Sequence, residues 1–285
     1  MMPTGSLHFD LIPASTFSYE ELTEAYNHTR VDYIVPMPMN ASKLREYVEL
    51  YDVDLAASVV AVDGNEILGL AMLGVREGRG WITRLGVIRN NRRQGTGSGL
   101  FNHLLAQAQE RDLTYLVIEV IADNLPAYNL FKSRGFTVTR DLLVLRRPPR
   151  PVPPLDPTHH LEALDQAEAL ALLRQRRSKP SWIDEYESLA HAGNLRALLA
   201  TLPDGSRGWL VYQTSPFQLG RLVIQTEAGD PLGLARTLLP ALHRRYPHQD
   251  TKTENLPATD PHWPAFAESG YLVVFRRNEM VRYLK

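Results

Sequence analysis

Polar and apolar positions in the first half of the chain follow two periods, and the switches between them mark out elements. Residues 8–12 and 58–62 carry the short apolar runs of strands, and Asp63-Gly64 after the second is a turn signal. Residues 66–75 read as the next strand, closing a hairpin across the Asp-Gly-Asn turn. Between the first two strands, 19–28 and 42–48 show helical spacing, and 81–88 reads as a further strand. After a polar turn, Leu100, Phe101, Leu104, Leu105 and Ala108 recur at helical intervals. Residues 115–121 form an apolar run suited to a buried strand. Residues 125–133 read as a helix capped near Gly135, and 137–145 as the last strand. The order is strand, two helices, three strands, helix, strand, helix, strand. Hairpin strands followed by a strand–helix–strand unit predict an α/β (α+β) fold: a mixed, mostly antiparallel sheet with helices on both faces.

The run RRPPRPVPPLDP at 146–157 interrupts this regularity. Its proline density removes backbone donors and favours an extended spacer. The predicted organisation is therefore a domain over 1–147, a proline-rich linker over 148–157 and a second domain over 158–285. The halves echo each other. NLPA at 124–127 and FKSRGF at 131–136 return as NLPA at 255–258 and FAESGY at 266–271, and LLVLRR at 142–147 returns as LVVFRR at 272–277. The common order of the blocks predicts a duplication.

Composition narrows the function. With 285 residues, 44% of them hydrophobic, the chain can bury two ordinary cores. A formal net charge of -1 argues against a broad electrostatic footprint, so neither a nucleic acid nor an anionic membrane is an expected partner. The absence of cysteine excludes disulfides, thiolate metal sites and a cysteine nucleophile. His159-His160 lacks partners at metal-ligand spacing, and no metal is expected. The first fifteen residues show no basic region followed by an apolar core, and no stretch of about 18 apolar residues occurs, so a cytoplasmic protein is the expectation. A monomer and a homodimer are both compatible with this composition.

Most chemical information lies in LGVIRNNRRQGTGSGL, 85–100, where a strand runs through a glycine-rich loop into an amphipathic helix. Glycines at 95, 97 and 99 let successive N–H groups turn toward one anion. The helix N-terminus adds unsatisfied donors and partial positive charge, and Arg92 and Arg93 add full charges. This is a device for holding a pyrophosphate. A Walker A loop would need Gly-Lys-Ser/Thr, and the loop has no lysine. A dinucleotide fingerprint would need G-x-G-x-x-G on the first strand of its unit, whereas the spacing here is G-x-G-x-G in mid-domain.

The segment resembles the acetyl-CoA loop of the GNAT superfamily, whose Arg/Gln-x-x-Gly-x-Gly/Ala pattern stands as RRQGTG at 92–97. The resemblance extends to the strand LVIEV at 116–120 and to an N-x-x-A…GF block formed by Asn124, Ala127, Gly135 and Phe136. It implies two tandem GNAT-like domains and acetyl-CoA as cosubstrate. It implies that the main chain of Leu85, Gly86 and Val87 holds the pantetheine arm, with an N–H there facing the developing oxyanion. Arg92, Arg93, Gln94, Gly95, Thr96, Gly97 and Ser98 would surround the pyrophosphate. Asn124 is expected on the cofactor arm or as a helix N-cap. Glu119 is the candidate base, where some family members carry a catalytic glutamate; its other reading is an ion pair with Arg84, which alternation puts on the face opposite Trp81, Thr83 and Leu85. Many members have a tyrosine where this chain has Phe131, counted here among the cofactor contacts. Tyr128, one helical turn earlier, is the candidate acid for the leaving thiolate, or a packing residue. His103 is expected as a solvated helix residue, and Tyr33, Met37 and Met39 belong to a loop that in this fold often roofs the acceptor site.

In the second half, QTEAGDPLGL at 225–234 stands where the loop should be. It has no arginine, Glu227 and Asp230 would repel a pyrophosphate, and Pro231 removes a donor. Ala235, Leu238, Leu239 and Leu242 keep the core face of the next helix. The fold is expected to persist there without a cofactor site. The expected function is transfer of an acetyl group from acetyl-CoA to a primary amine, on a small molecule or a peptide; a non-catalytic acyl-CoA-binding regulator is the alternative.

Overall fold

The computed structural model describes residues 9–92, 94–154 and 156–284. His8 and Arg93 therefore lie outside the described residues. The chain divides into two compact units, 1–139 with 279–285, and 140–278. In unit 1 the elements are β1 (Asp10–Pro13), α1 (Tyr19–Thr29), α2 (Ala41–Leu50), β2 (Val59–Asp63), β3 (Glu66–Arg76), β4 (Arg79–Val87), α3 (Thr96–Glu110), β5 (Tyr115–Ile121), α4 (Leu125–Ser133) and the start of β6 (Thr137–Arg147). Strands β1 to β4 pair antiparallel in chain order, and β4 pairs β5 in parallel. The far end of the chain completes this unit. Met280 is buried in its core, Thr139 donates to the Glu279 carbonyl, and the Leu284 amide donates to the Thr114 carbonyl.

Helix boundaries follow local chemistry. Ser18 and Glu21 form a reciprocal capping box at the start of α1, and Asn40 caps α2. Apolar alternation splits the sheet residues between two faces. Val59, Ala61, Ala71, Leu73 and Ile82 join Leu100, Phe101 and Leu104 of α3, together with Leu116, Ile118 and Val120 of β5. The opposite face of β3 and β4 carries the buried Leu70, Met72 and Trp81, on the side of Tyr26 and Tyr47 from α1 and α2. Burying one such side chain contributes roughly 1.5–3 kcal/mol.

Unit 2 repeats the plan with β7 (His160–Leu164), α5 (Gln166–Arg174), α6 (Tyr186–Ala192), β8 (Leu195–Thr201), β9 (Arg207–Thr214), β10 (Gln218–Ala228), α7 (Pro231–Arg245), β11 (Asp250–Pro257), α8 (Trp263–Glu268) and the start of β12 (Leu272–Tyr283). Here β6 pairs β11, β11 runs parallel to β10, and β10, β9, β8 and β7 follow antiparallel. One face packs on α7 and α8 through Leu198, Leu210, Tyr212, Leu219 and Leu238, and the other on α5 and α6 through Ala197, Trp209, Val211 and Leu189.

The duplication is written in matching irregularities. Gly135 and Gly270 both turn left-handed, at φ 84° and 88°. In each case the amide five residues on bonds back to a phenylalanine carbonyl, Phe136 to Phe131 and Tyr271 to Phe266, closing the same helix C-terminus. The NLPA match is different. Asn124 caps α4, with Leu125 and Pro126 in its first turn, whereas Asn255, Leu256 and Pro257 lie inside strand β11. These tetrapeptides do not occupy equivalent places, and their likeness is not part of the repeat.

Candidate active site

The site begins with a defect in β4. Arg84 is held at φ 53°, and the register with β3 slips there, so that Met72 faces Thr83 but Leu70 faces Gly86. Such a bulge shifts the alternation by one. Ile82 lies on the α3 face, and so do Leu85 and Val87 beyond the bulge. The expectation from simple alternation fails here. Arg84 does not point away from Thr83 and Trp81: its guanidinium lies 4.1 Å from the centre of the Tyr47 ring, and Tyr47 hydrogen-bonds Thr83 and lies beside Trp81. Unit 2 has the same device, with Arg221 at φ 53° and a slip in β10 between Gly220 and Val223.

Pairing between β4 and β5 ends at Ile82 and Ile118, and the strands separate beyond. The Ile88 amide bonds to Leu68 of β3, so the alternating backbone groups of Leu85 and Val87 face the gap. The Leu85 carbonyl accepts from Arg30 at 3.3 Å, and the Val87 carbonyl from Arg92 at 3.1 Å.

At the same end of β4 sits the start of α3. Its N-cap is Gly95, left-handed at φ 87°, with no side chain to cap the helix. The first intrahelical bond is from Gly99 to Gly95, which leaves the N–H groups of Thr96, Gly97 and Ser98 at the helix mouth. Gly97 is within 3.6 Å of Val87 for any added Cβ, and Thr96 is buried. The equivalent helix of unit 2 is closed differently. The Asp230 carboxylate accepts from the Leu232 amide at 3.0 Å and the Gly233 amide at 2.8 Å. It occupies the donors an anion would need, and Pro231 supplies none.

The remaining candidates fall in three groups. Around the loop, Arg92 is bound bidentate to Asp32 at 2.7 Å, Gln94 is exposed, and the Ser98 hydroxyl accepts from Arg134 at 2.8 Å. The bond from Arg92 holds the Asp32 carboxyl below its ordinary range. Arg134 was not among the sequence candidates; it comes from the end of α4, whose return to the loop only the fold reveals. At the start of α4, Asn124 accepts from the Ala127 amide and donates to the Tyr33 hydroxyl at 3.5 Å, while Tyr128 is half-buried. Phe131 is 3% exposed and meets Phe101 and Phe136 edge-on, so its ring serves the core. On the α1–α2 face, Glu119 is half-buried on β5, on the face opposite Leu116, Ile118 and Val120. It acts on the same buried Tyr47 as Arg84: burial pushes that phenol up, Arg84 pulls it down and Glu119 raises it. His103 is half-buried rather than solvated, and burial lowers its imidazole. Met37 lies in the loop between α1 and α2, and the Met39 backbone is tied to Asn27.

A separated pair of parallel strands, a bulge and an uncapped helix start meet at one end of β4, and residues 19–136 match the acetyltransferase (GNAT) family model. Over this segment the chain is similar to the GNAT acetyltransferases. Solved GNAT structures extend the likeness to the whole chain. A GCN5-related N-acetyltransferase from Sphaerobacter thermophilus is 17% identical with a TM-score of 0.72, covering 100% of this chain and 98% of that one. A tandem GNAT protein from the clavulanic acid biosynthesis pathway is 15% identical with a TM-score of 0.68, covering 96% and 98%. A GCN5-related N-acetyltransferase from Anabaena variabilis is 14% identical with a TM-score of 0.59, covering 97% and 73%. At these identities the likeness is one of fold, and it is a tandem GNAT fold. No curated protein sequence matches the chain significantly. The family implies an acyl-CoA cosubstrate and an amine acceptor. Among the described residues, no group of three or more acidic, histidine or cysteine side chains is arranged to hold a metal ion. None of the helices described is long and apolar enough to cross a membrane.

Proposed function

We propose that unit 1 transfers an acetyl group from acetyl-CoA to a primary amine by direct attack within a ternary complex, and that unit 2 binds no coenzyme. The observation that carries this reading is the contrast between the two helix starts. The amides of 96–98 are uncapped behind a left-handed Gly95, while the corresponding donors of α7 are taken by Asp230. The donor set of the first fits a diphosphate: neutral amides, a helix N-terminus and Arg92 and Arg134 nearby, with Asp32 committed to Arg92. Arg93 belongs to the same proposed group.

When bound, acetyl-CoA supplies a thioester whose C–S bond is exchanged for a C–N bond to the amine. Leu85 and Val87 would hold the pantetheine arm through backbone groups that face the gap, with Gly86 between them. Asn124 can serve both of its expected roles, its oxygen capping α4 while its amide nitrogen, now on the Tyr33 hydroxyl, would turn to the cofactor arm. Glu119 is the proposed base. An alkylammonium must lose a proton before it can attack, and a half-buried carboxylate on the acceptor face can take it. Tyr128 is the proposed donor to the departing thiolate, since Phe131 has no proton to give. The core position of Phe131 also favours a second reading, an acyl-CoA-binding regulator without chemistry.

The experiment is release of free thiol from acetyl-CoA in the presence of a panel of amines. Amine-dependent release supports the enzyme. Tight coenzyme binding with no release for any amine would support the regulator instead.

A further inference from the structure

The α1–α2 face of unit 1 carries two arginines among tyrosine rings, one of them against the main chain of Leu85. Arg30, the residue that ends α1, is half-buried, and its guanidinium lies 4.1 Å from the centre of the Tyr33 ring and 5.3 Å from that of Tyr26. One of its terminal nitrogens donates to the Leu85 carbonyl, but its Nε is buried without a partner. Among the described residues no carboxylate pairs with it. Neighbouring Asp32 is taken up by Arg92 in a bidentate bond. Arg84 lies 5.1 Å from the centre of the same Tyr26 ring and donates to its hydroxyl at 3.1 Å. A guanidinium partly removed from water gains from an anionic partner, because withdrawing charge from water is costly unless it is compensated. The two arginines also cover faces of Tyr26, Tyr33 and Tyr47 that would otherwise suit a cationic ligand.

Resting on the acetyltransferase reading above, we propose that the acceptor is an amine bearing a carboxylate within two or three bonds of its nitrogen, as in an α-amino acid, and that Arg30 binds that carboxylate. The arrangement is economical. Arg30 touches the main chain of Leu85, the residue proposed to face the thioester, so a carboxylate on the guanidinium brings an adjacent amino group to the carbonyl. A planar fork meets a carboxylate through two parallel bonds, which fixes orientation as well as position. The same charge disfavours polyamines and aminoglycosides. For those the competing surface is a groove of about 400 Å³ between α1 and the start of α2, lined by Glu20, Glu24, Asn27, His28 and Ala41.

The test uses the full chain with three acceptor classes: α-amino acids, the amines left by removing their carboxylates, and spermidine. Coenzyme A binding is followed separately by calorimetry, and its failure would refute the cofactor reading rather than this one. The expected result is kcat/KM for amino acids about 10–100-fold above that of the matched amines, as expected for hydrogen bonds to a charged group. Arg30→Met should bring the two classes together through a rise in KM, and Arg30→Lys should restore part of the difference. Calorimetry of the coenzyme with both variants checks that β4 keeps its shape. Equal or better transfer to the amines or to spermidine would overturn the proposal, as would a carboxylate preference that survives in Arg30→Met with coenzyme binding intact.

Discussion

Replacing Gly95 with aspartate should convert the helix start of unit 1 into that of unit 2. Asp230 accepts from two amides at 3.0 Å and 2.8 Å, so its carboxylate shows what an acid does at this point of the fold. An aspartate at 95 has two options. It can turn onto the amides of Gly97 and Ser98 as Asp230 does, or it can stay left-handed at φ 87° with its charge at the helix mouth. The second costs about 1–2 kcal/mol of backbone strain, and no atom lies within 4 Å of the new Cβ to add a clash. Folding should therefore survive. Coenzyme binding should not. A bond from a backbone N–H to a charged group contributes about 1.5–3 kcal/mol, so losing two costs about 3–6 kcal/mol, or roughly 100- to 20,000-fold in Kd. Repulsion between the carboxylate and the diphosphate adds to this. The assay is calorimetry with coenzyme A, accompanied by thermal unfolding of the same samples. A folded Gly95→Asp protein that binds within threefold of the parent would refute the reasoning.

Other outcomes follow from the same structure. Glu119→Gln should lower kcat by about 100- to 10,000-fold at neutral pH, with recovery as the pH approaches the pKa of the acceptor amine, and a flat ratio of rates across pH would remove Glu119 from the reaction. Phe131→Ala should destabilise the protein by about 3–5 kcal/mol in urea unfolding, because the ring fills the space between Phe101 and Phe136; a loss under about 1 kcal/mol would mean that it does not serve the core. His243 is buried beside Tyr271, and burial followed by the Arg147 charge lowers it from 6.5 to about 3. Its folded value is depressed, so its contribution is complete above pH 6.5 and is lost as the pH falls from 6.5 toward 3. Stability should drop by about 1.6 kcal/mol between pH 6.5 and 5, and His243→Gln should remove that part of the slope.

Much of the fold is legible in the sequence because the signals are local. The helix over 125–133, the hairpin at Asp63-Gly64 and the glycine loop each follow from a few neighbouring residues, and the observed elements agree to within a few positions. The bulge at Arg84 is not legible. Nothing in ITRLGV announces a left-handed arginine, and the resulting change of parity moved Arg84 onto the face of Thr83 and Trp81. Comparison of the two units supplies the missing signal, since Arg-Leu recurs at the same defect in β10 as Arg221 and Leu222. The NLPA coincidence failed for the opposite reason: four residues form a helix start in one context and strand in another. The return of residues 279–285 into unit 1, and the placing of Arg30, Asp32 and Arg134 around the site, depend on contacts between residues far apart in the chain.

In the proposed site the amides opening α3 grip the diphosphate of an acyl-CoA, while the start of α7 cannot. A crystal structure of the full chain with acetyl-CoA tests it most directly. The expected result is one coenzyme per chain, its diphosphate on the N–H groups of residues 96–98 and its arm along Leu85 and Val87. A coenzyme bound at Asp230, or bound in unit 1 with its diphosphate away from α3, would contradict it.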